Sequence, residues 1–263
     1  MHIRSWAVGG TASDDIGSVT TRTVNLAPAG AAIVPPRGRQ RSVMVVFLLC
    51  LATGSVDAVC FLALGEAFAS VMTGNLVLVG IATGTADARL ALYCGASILA
   101  YGVGCVLAGR FVRALRDRDD RARFWPDPVR VCLIIESAML ATVAIIWAAL
   151  PSAPAGWGRL AFLCACSLSM AIQSVAVRNL GVNVSTTYMT GAFTALLEAL
   201  GGRRRFGVTE RAAASGVSGL ILGALVGASC LHLLQPAVFF VPLLAMVVLF
   251  GYARWAMDRP AAD

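Results

Sequence analysis

The sequence has few charged residues, no lysine and only two histidines. Asp, Glu and Arg make up 13% of its 263 residues, whereas 58% are hydrophobic and the mean hydropathy is +0.79. A water-soluble domain of this length carries about twice that share of charge and does not need so much apolar surface. The scarcity of charge therefore excludes an ordinary soluble protein and indicates an integral membrane protein.

The shortage of histidine limits the chemistry that the chain can carry. His2 and His232 are the only histidines, and no Ser-His-Asp set, phosphate-binding loop or zinc-ligand spacing is visible. The eight cysteines lie within or at the ends of apolar runs, where a thiol behaves as a small hydrophobic group. We therefore expect no metal site, no cofactor and no enzymatic activity.

The apolar residues form six continuous runs. An α-helix needs about 20 apolar residues to cross about 30 Å of hydrocarbon, whereas a β-barrel shows segments of about ten residues with alternating polarity. The runs are long and rich in Ala, Leu and Gly, which predicts an all-α polytopic membrane protein with six transmembrane helices. They cover residues 42–64, 88–112, 129–150, 158–180, 210–234 and 236–256.

The positions of the arginines predict how these helices are oriented. If residues 1–41 are a disordered cytoplasmic tail, 17 arginines near helix ends face the cytoplasm and only Arg89 and Arg159 face outward. Short cytoplasmic loops are enriched in positive charge. We therefore expect a multi-pass protein of the bacterial inner membrane, with residues 257–263 also cytoplasmic. The net charge of +7 is then a topology signal and not a nucleic-acid-binding surface.

A short motif occurs twice in the membrane domain, residues 42–256. Met-Thr-Gly-Asn at 72–75 is matched by Met-Thr-Gly-Ala at 189–192, and each begins about eleven apolar residues. A helix of that length is about 16 Å long and cannot cross the bilayer. Each copy then contributes three helices that cross the membrane. Because three is an odd number, the second copy begins on the opposite side of the membrane and is inverted relative to the first. We predict two inverted three-helix repeats, about 42–150 and about 157–256, each with a short re-entrant half-helix.

This arrangement is typical of secondary transporters, whose broken helices point their N-termini at a ligand near the membrane midplane. Free N–H groups at a helix start favour an anionic group. We therefore predict that the two motifs converge and bind a small polar or anionic solute. The predicted substrate-binding residues are Thr73, Gly74, Asn75, Gln173, Thr187, Thr190 and Gly191.

Two carboxylates lie inside predicted helices. Asp57 is about fifteen residues into the first helix, and Glu136 is one-third into the third. A charge is expensive in the hydrocarbon layer, and a carboxyl group removed from water can exchange a proton near neutral pH, so we expect proton or ion coupling. The alternatives for Asp57 are that it caps the broken helix or bonds to a neighbouring helix. Glu136 could pair with Asp57 or relay protons, and its alternative is that it faces the headgroups near Arg130.

The second and fifth runs carry a small residue at every fourth position. Such faces allow close helix packing, and they also predict a homo-oligomer or, as the alternative to transport, a non-transporting scaffold or accessory subunit that binds a partner helix. The two sets are Ala96, Ala100, Gly104 and Ala108, and Ser215, Gly219, Gly223 and Gly227.

Two stretches resemble a known family. Residues 57–64 with the motif at 72–75, and residues 173–181 with Ser-Thr-Thr-Tyr-Met-Thr-Gly at 185–191, are similar to the two signature regions of the YoaK-type family of bacterial multi-span membrane proteins of unknown function. The similarity extends over about residues 42–256. It implies a helical inner-membrane protein and supplies no reaction or substrate.

Overall fold

The described part of the chain is built from α-helices. The computed structural model describes residues 36–116, 127–180, 189–202 and 207–257, and within them there are eight α-helices and no strand. In chain order they are α1 (Pro36–Ala63), α2 (Met72–Gly84), α3 (Ala88–Arg116), α4 (Asp127–Ala149), α5 (Gly156–Asn179), α6 (Met189–Gly201), α7 (Val208–Leu233) and α8 (Phe240–Met257), with one 3-10 turn at Gln235–Ala237.

Six of these helices are long and apolar enough to cross a membrane. Their apolar parts contain 21 to 28 residues, and every predicted run agrees with the observed one to within three residues at each end. The two remaining helices, α2 and α6, have 13 residues each and are about 20 Å long, which is too short to cross. The prediction of an all-α chain with six candidate membrane helices is confirmed.

The first helix begins earlier than the sequence indicated. Residues 36–41 were expected in the disordered tail, but α1 begins at Pro36. A nucleated helix extends at little cost, and proline is well suited to a first helical position because its missing N–H has no partner there anyway. The rest of the predicted tail, residues 1–35, and residues 258–263 lie outside the described part.

Helices α1 and α5 form the interior of the bundle. α1 packs along α7 and against α8, while α5 packs along α3 and against α4. The short helices lie on the longer helices that follow them, α2 on α3 and α6 on α7. α1 and α5 also carry most of the buried polar side chains, among them Thr53, Asp57, Ser169 and Gln173.

The small-residue faces lie against neighbouring helices of the same chain. A Cβ atom at Gly223 would overlap the carbonyl oxygen of Leu51 in α1, and one at Gly227 would lie 2.8 Å from the Cα atom of Ser55. In α3, a Cβ atom at Gly104 would lie 2.9 Å from the carbonyl oxygen of Leu168 in α5. At these positions the absent side chain lets two helix backbones approach each other directly.

Replacing Gly223 with alanine tests this close packing. We expect Gly223→Ala to lower the free energy of unfolding by about 1–3 kcal/mol, because the added methyl group overlaps the backbone of Leu51. Gly251→Ala in α8 is the matched control, since a Cβ atom there meets nothing within 4 Å and alanine favours a helix. Thermal unfolding of both variants in one detergent measures the difference. A melting temperature for Gly223→Ala as high as that of Gly251→Ala would contradict the contact.

Candidate functional site

The carboxylate of Asp57 binds the segment that connects α1 to α2. Its Oδ1 atom accepts hydrogen bonds from the backbone N–H groups of Ala69 and Ser70, both 2.8 Å long, and its Oδ2 atom accepts one from the Ser70 hydroxyl over 2.5 Å. Asp57 lies six residues before the end of α1, about 9 Å along the axis. Residues 64–71, which we call the connector, therefore turn back beside α1 before α2 begins.

Asn75 binds the same connector from the other side. Its Oδ1 atom accepts from the N–H group of Phe68 over 2.9 Å, and its Nδ2 atom donates to the carbonyl oxygen of Phe68 over 2.7 Å. The Nδ2 atom also donates to the Ser97 hydroxyl of α3 over 3.0 Å. Asn75 is fully buried. Its amide therefore replaces the backbone partners that a regular helix would have supplied to Phe68.

Two serines extend this network across the bundle. The Ser97 hydroxyl donates to the carbonyl oxygen of Phe68 over 2.6 Å and lies 2.8 Å from the hydroxyl of Ser167 in α5. The connector is thus linked to α1 through Asp57, to α3 through Ser97 and to α5 through the contact between the two serines. The sequence gives no signal for Ser70, Ser97 and Ser167, because a single serine in an apolar run also occurs as an ordinary packing residue.

The two Met-Thr-Gly motifs lie at different levels of α1. The connector before the first motif bonds to Asp57, whereas Met189 of the second motif packs on a cluster that includes Val46 and Cys50. Cys50 and Val46 precede Asp57 by 7 and 11 residues, or about 10–16 Å along the helix. The connector before the first motif and Met189 of the second motif thus contact different parts of α1, and the convergence of the two motifs in a common site stays a prediction. The first motif is joined to the connector through Asn75, whose counterpart in the second motif is Ala192.

Most of the other predicted binding residues lie at the surface of the described structure. Thr73, Thr190 and Gly191 are exposed, and Gly74 is half-buried against Phe68. Thr187 lies outside the described residues. None of the described residues of α6 is buried.

Gln173 joins the two central helices. Its Oε1 atom accepts from the Thr53 hydroxyl of α1 over 2.9 Å, and its Nε2 atom donates to the carbonyl oxygen of Leu49 over 3.2 Å. Thr53 and Gln173 are each 1% exposed. Gln173 was predicted to bind substrate, and the structure gives it a contact between helices. Its amide nevertheless lies in the polar interior between α1 and α5.

Glu136 is the least compensated polar side chain among the described residues. It is 0% exposed in the middle of α4, and neither of its carboxyl oxygens has a hydrogen-bond partner in the described part of the chain. Ser169 of α5 donates to the backbone carbonyl oxygen of Glu136 over 3.4 Å. The alternative that Glu136 faces the headgroups is wrong, because Leu133 and Leu140 beside it are equally buried.

Comparison with known proteins now identifies the family. A family model described as "Protein of unknown function (DUF1275)" matches residues 45–252, which include the connector, Glu136 and both motifs. The chain belongs to the DUF1275 family. The predicted resemblance to YoaK-type proteins is confirmed, and the chain is a multi-pass membrane protein.

A relative of this DUF1275 protein is the UPF0700 transmembrane protein YoaK of Bacillus subtilis (strain 168). It is 29% identical over 212 residues, which cover 78% of this chain and 89% of the relative. No solved structure matches the chain. The family match, residues 45–252, contains the connector and all or part of each of the eight helices.

Removing the Asp57 carboxylate tests its hold on the connector. We expect Asp57→Ala to lower the free energy of unfolding of the DUF1275 protein by about 2–5 kcal/mol, because two buried N–H groups and a hydroxyl lose their acceptor. Asp57→Asn retains an acceptor oxygen and should cost less. Denaturant or thermal unfolding in detergent measures both.

Asp87→Ala is the matched control for this experiment. Asp87 accepts an exposed hydrogen bond from the N–H group of Leu90 at the start of α3, a helix cap whose loss costs about 1 kcal/mol. Equal losses for Asp57→Ala and Asp87→Ala would contradict a buried anchoring role for Asp57.

Proposed function

We propose that this DUF1275 protein is a secondary transporter that moves a small polar or anionic solute coupled to a proton. Its membrane domain would consist of two inverted repeats, α1–α4 and α5–α8, with α2 and α6 as re-entrant half-helices. The observation that carries the proposal is Glu136, a fully buried carboxyl group in the middle of a candidate membrane helix, without a partner among the described residues.

Helix packing supports the two repeats. In the two repeats α1 corresponds to α5, α2 to α6, α3 to α7 and α4 to α8. When both helices of a major packed pair are replaced by their counterparts, the result is again a pair that packs together in the structure. The pair α1 and α7 becomes α5 and α3, the pair α2 and α3 becomes α6 and α7, and the pair α1 and α8 becomes α5 and α4. A pseudo-two-fold axis produces such an exchange, and this symmetry underlies many transporter folds.

Individual contacts support the same relation. Gly223 packs against the backbone of Leu51, and Gly104 packs against the backbone of Leu168. Leu51 and Leu168 are 117 residues apart, as are the methionines of the two motifs, and Gly104 and Gly223 are 119 apart. The close crossing of two helices therefore recurs at corresponding positions, which neither motif could predict by itself.

The connector fits a re-entrant geometry. Irregular backbone is tolerated at membrane depth only where protein or water satisfies its polar groups. The Asp57 and Asn75 side chains bind the N–H groups of residues 68–70, so the connector can turn back inside the bundle. Asp57 would thereby position α2, and its predicted role in proton or ion coupling stays a prediction.

Glu136 is suited to carry the proton. An unpaired charge is strongly destabilising in a protein interior, so this carboxyl group can ionise only when water, an ion or the solute reaches it. The Ser169 hydroxyl of α5 bonds to the Glu136 backbone, and Gln173 lies one helical turn further along α5, in contact with α1. A solute that entered between α4 and α5 would meet the hydroxyl and amide groups of these two side chains.

Proton flux in vesicles tests the proposal. The purified protein is reconstituted with a pH-sensitive dye inside, and small carboxylates, amino acids and neutral polar solutes are added outside in turn. We expect one solute class to change the internal pH, and Glu136→Gln to reduce that change to the level of protein-free vesicles. Glu198→Gln is the matched control, because Glu198 is an exposed carboxylate of α6.

Two results would contradict the proposal. If no solute changed the internal pH more than in protein-free vesicles, the transport function would be wrong. If Glu136→Gln carried the same proton flux as the wild type, Glu136 would not be the coupling group.

The scaffold alternative lacks a supporting observation. Its partner-binding face was to be one of the small-residue faces, and Gly219, Gly223 and Gly227 of α7 lie against α1 of the same chain. A homo-oligomer stays a prediction, and it would need a different surface from these glycines.

A further inference from the structure

A polar cleft lies at one end of the bundle, apart from Glu136 and the motifs. It has a volume of about 330 Å³ and lies where α1 ends, α3 and α5 begin and α7 ends. We call it the arginine cleft, because Arg89 of α3 and Arg159 of α5 both line it. Glu66 of the connector and Gln235 before α8 supply its other polar side chains.

The two arginines stand out against the arginine distribution of the chain. In the predicted topology Arg89 and Arg159 are the only arginines at outward-facing helix ends, where positive charge is otherwise avoided. They are 70 residues apart in sequence and come from different predicted repeats, yet they line the same cleft. The packing of α3 along α5 brings the two arginines, each near the start of its helix, to one cleft.

Both guanidinium groups are held by neighbours that leave their charge available. Arg89 lies over the ring of Tyr93, 5.8 Å from its centroid, and the Nε atom of Arg159 donates to the carbonyl oxygen of Pro154 over 3.4 Å. Neither arginine pairs with a carboxylate among the described residues. A guanidinium offers five donors in a planar fork that matches the two oxygens of a carboxylate.

The backbone that carries Glu66 into the cleft is unusual. Glu66 has φ of 61°, a left-handed conformation that non-glycine residues seldom adopt, and Gly65 before it has φ of 122°. The Glu66 N–H group donates to the carbonyl oxygen of Phe61 over 3.1 Å. A Cβ atom at Gly65 would lie 2.5 Å from the ring of Tyr93, the ring under Arg89. Strain of this kind is typical of functional sites.

We propose that the arginine cleft binds a small carboxylate-bearing solute through Arg89 and Arg159. This inference rests on the proposed transport function, in which the cleft would be the first site that binds the solute. Its volume is at the lower end of small-molecule sites and fits a molecule of a few carbon atoms. With two arginines and one glutamate the cleft has a net positive charge, so it attracts anions, and Glu66 offers an acceptor to an ammonium group on the same solute.

Binding can be measured without transport. The full chain is placed in lipid nanodiscs, and saturation-transfer difference NMR is recorded with acetate, succinate and glycine as probes and with glycinamide, which lacks the carboxylate. We expect signals from the carboxylates and about tenfold weaker binding in Arg89→Gln and in Arg159→Gln, the loss that follows from one charge-assisted hydrogen bond. Arg130→Gln is the matched control, because Arg130 is exposed near the start of α4 and does not line the cleft.

The Glu66→Gln variant distinguishes two classes of carboxylate ligand, zwitterions and simple anions. If Glu66→Gln weakens the signal of glycine and leaves that of acetate unchanged, the cleft selects zwitterions. If it strengthens binding of succinate, the cleft selects simple anions. Both results support a carboxylate site.

Other results would overturn the inference or the transport function separately. Absence of any carboxylate signal in the wild type, or equal signals in the wild type and both cleft variants, would show that the cleft is not the site, whatever the vesicle assay gives. Carboxylate binding that depends on both arginines, together with no solute-driven proton flux, would support the site and contradict the transport function.

Discussion

The arrangement of the first half of the molecule depends on one interaction, the acceptance of two backbone N–H groups by the Asp57 carboxylate. A chain that stops being helical inside an apolar bundle leaves donors and acceptors without partners, each at a cost of about 1–3 kcal/mol. Asp57 removes that cost for residues 69 and 70, and Asn75 removes it for both polar groups of residue 68. The connector can then turn back, α2 can lie on α3, and Asn75 can reach Ser97.

The two halves of the bundle share packing but differ in polar chemistry. Glycines let α7 cross closely over α1 and α3 cross closely over α5, and the first motif has Asn75 where the second has Ala192, whose methyl side chain forms no hydrogen bonds. No described residue of α6 is buried, while Asn75 and Ala82 of α2 are. Few buried contacts mean low local stability, so α6 has less to lose than α2 when the bundle changes conformation. In the transport cycle that we propose, α2 would stay fixed while α6 moves.

The sequence predicted what depends on composition and periodicity. Hydropathy reports directly on the solvent that a helix meets, so the six candidate membrane helices were located within three residues. The two short helices were predicted from the apolar stretches that follow the two motifs, which are too short to cross a bilayer. The partners of Asp57 could not be predicted, because Ser70 reaches it only through the path of the connector.

The roles of other site residues depend on which helices become neighbours. Gln173 was expected to bind substrate and bonds to Thr53, while Glu136 was expected to take part in proton or ion coupling and is fully buried without a hydrogen-bond partner among the described residues. Arg89 and Arg159 come together only because α3 and α5 begin at the same end of the bundle. Without a fold, nothing in the spacing of these residues distinguishes a site from a packing contact.

Amide hydrogen exchange of the connector tests the central claim most directly. In lipid nanodiscs the N–H groups of residues 68–70 should exchange as slowly as those of the buried part of α1, because side chains inside the bundle hold them. The exposed turn at residues 151–153 should exchange rapidly under the same conditions. If residues 68–70 exchanged as fast as that turn, the connector would not be bound within the bundle, and the account of Asp57 and Asn75 would be wrong.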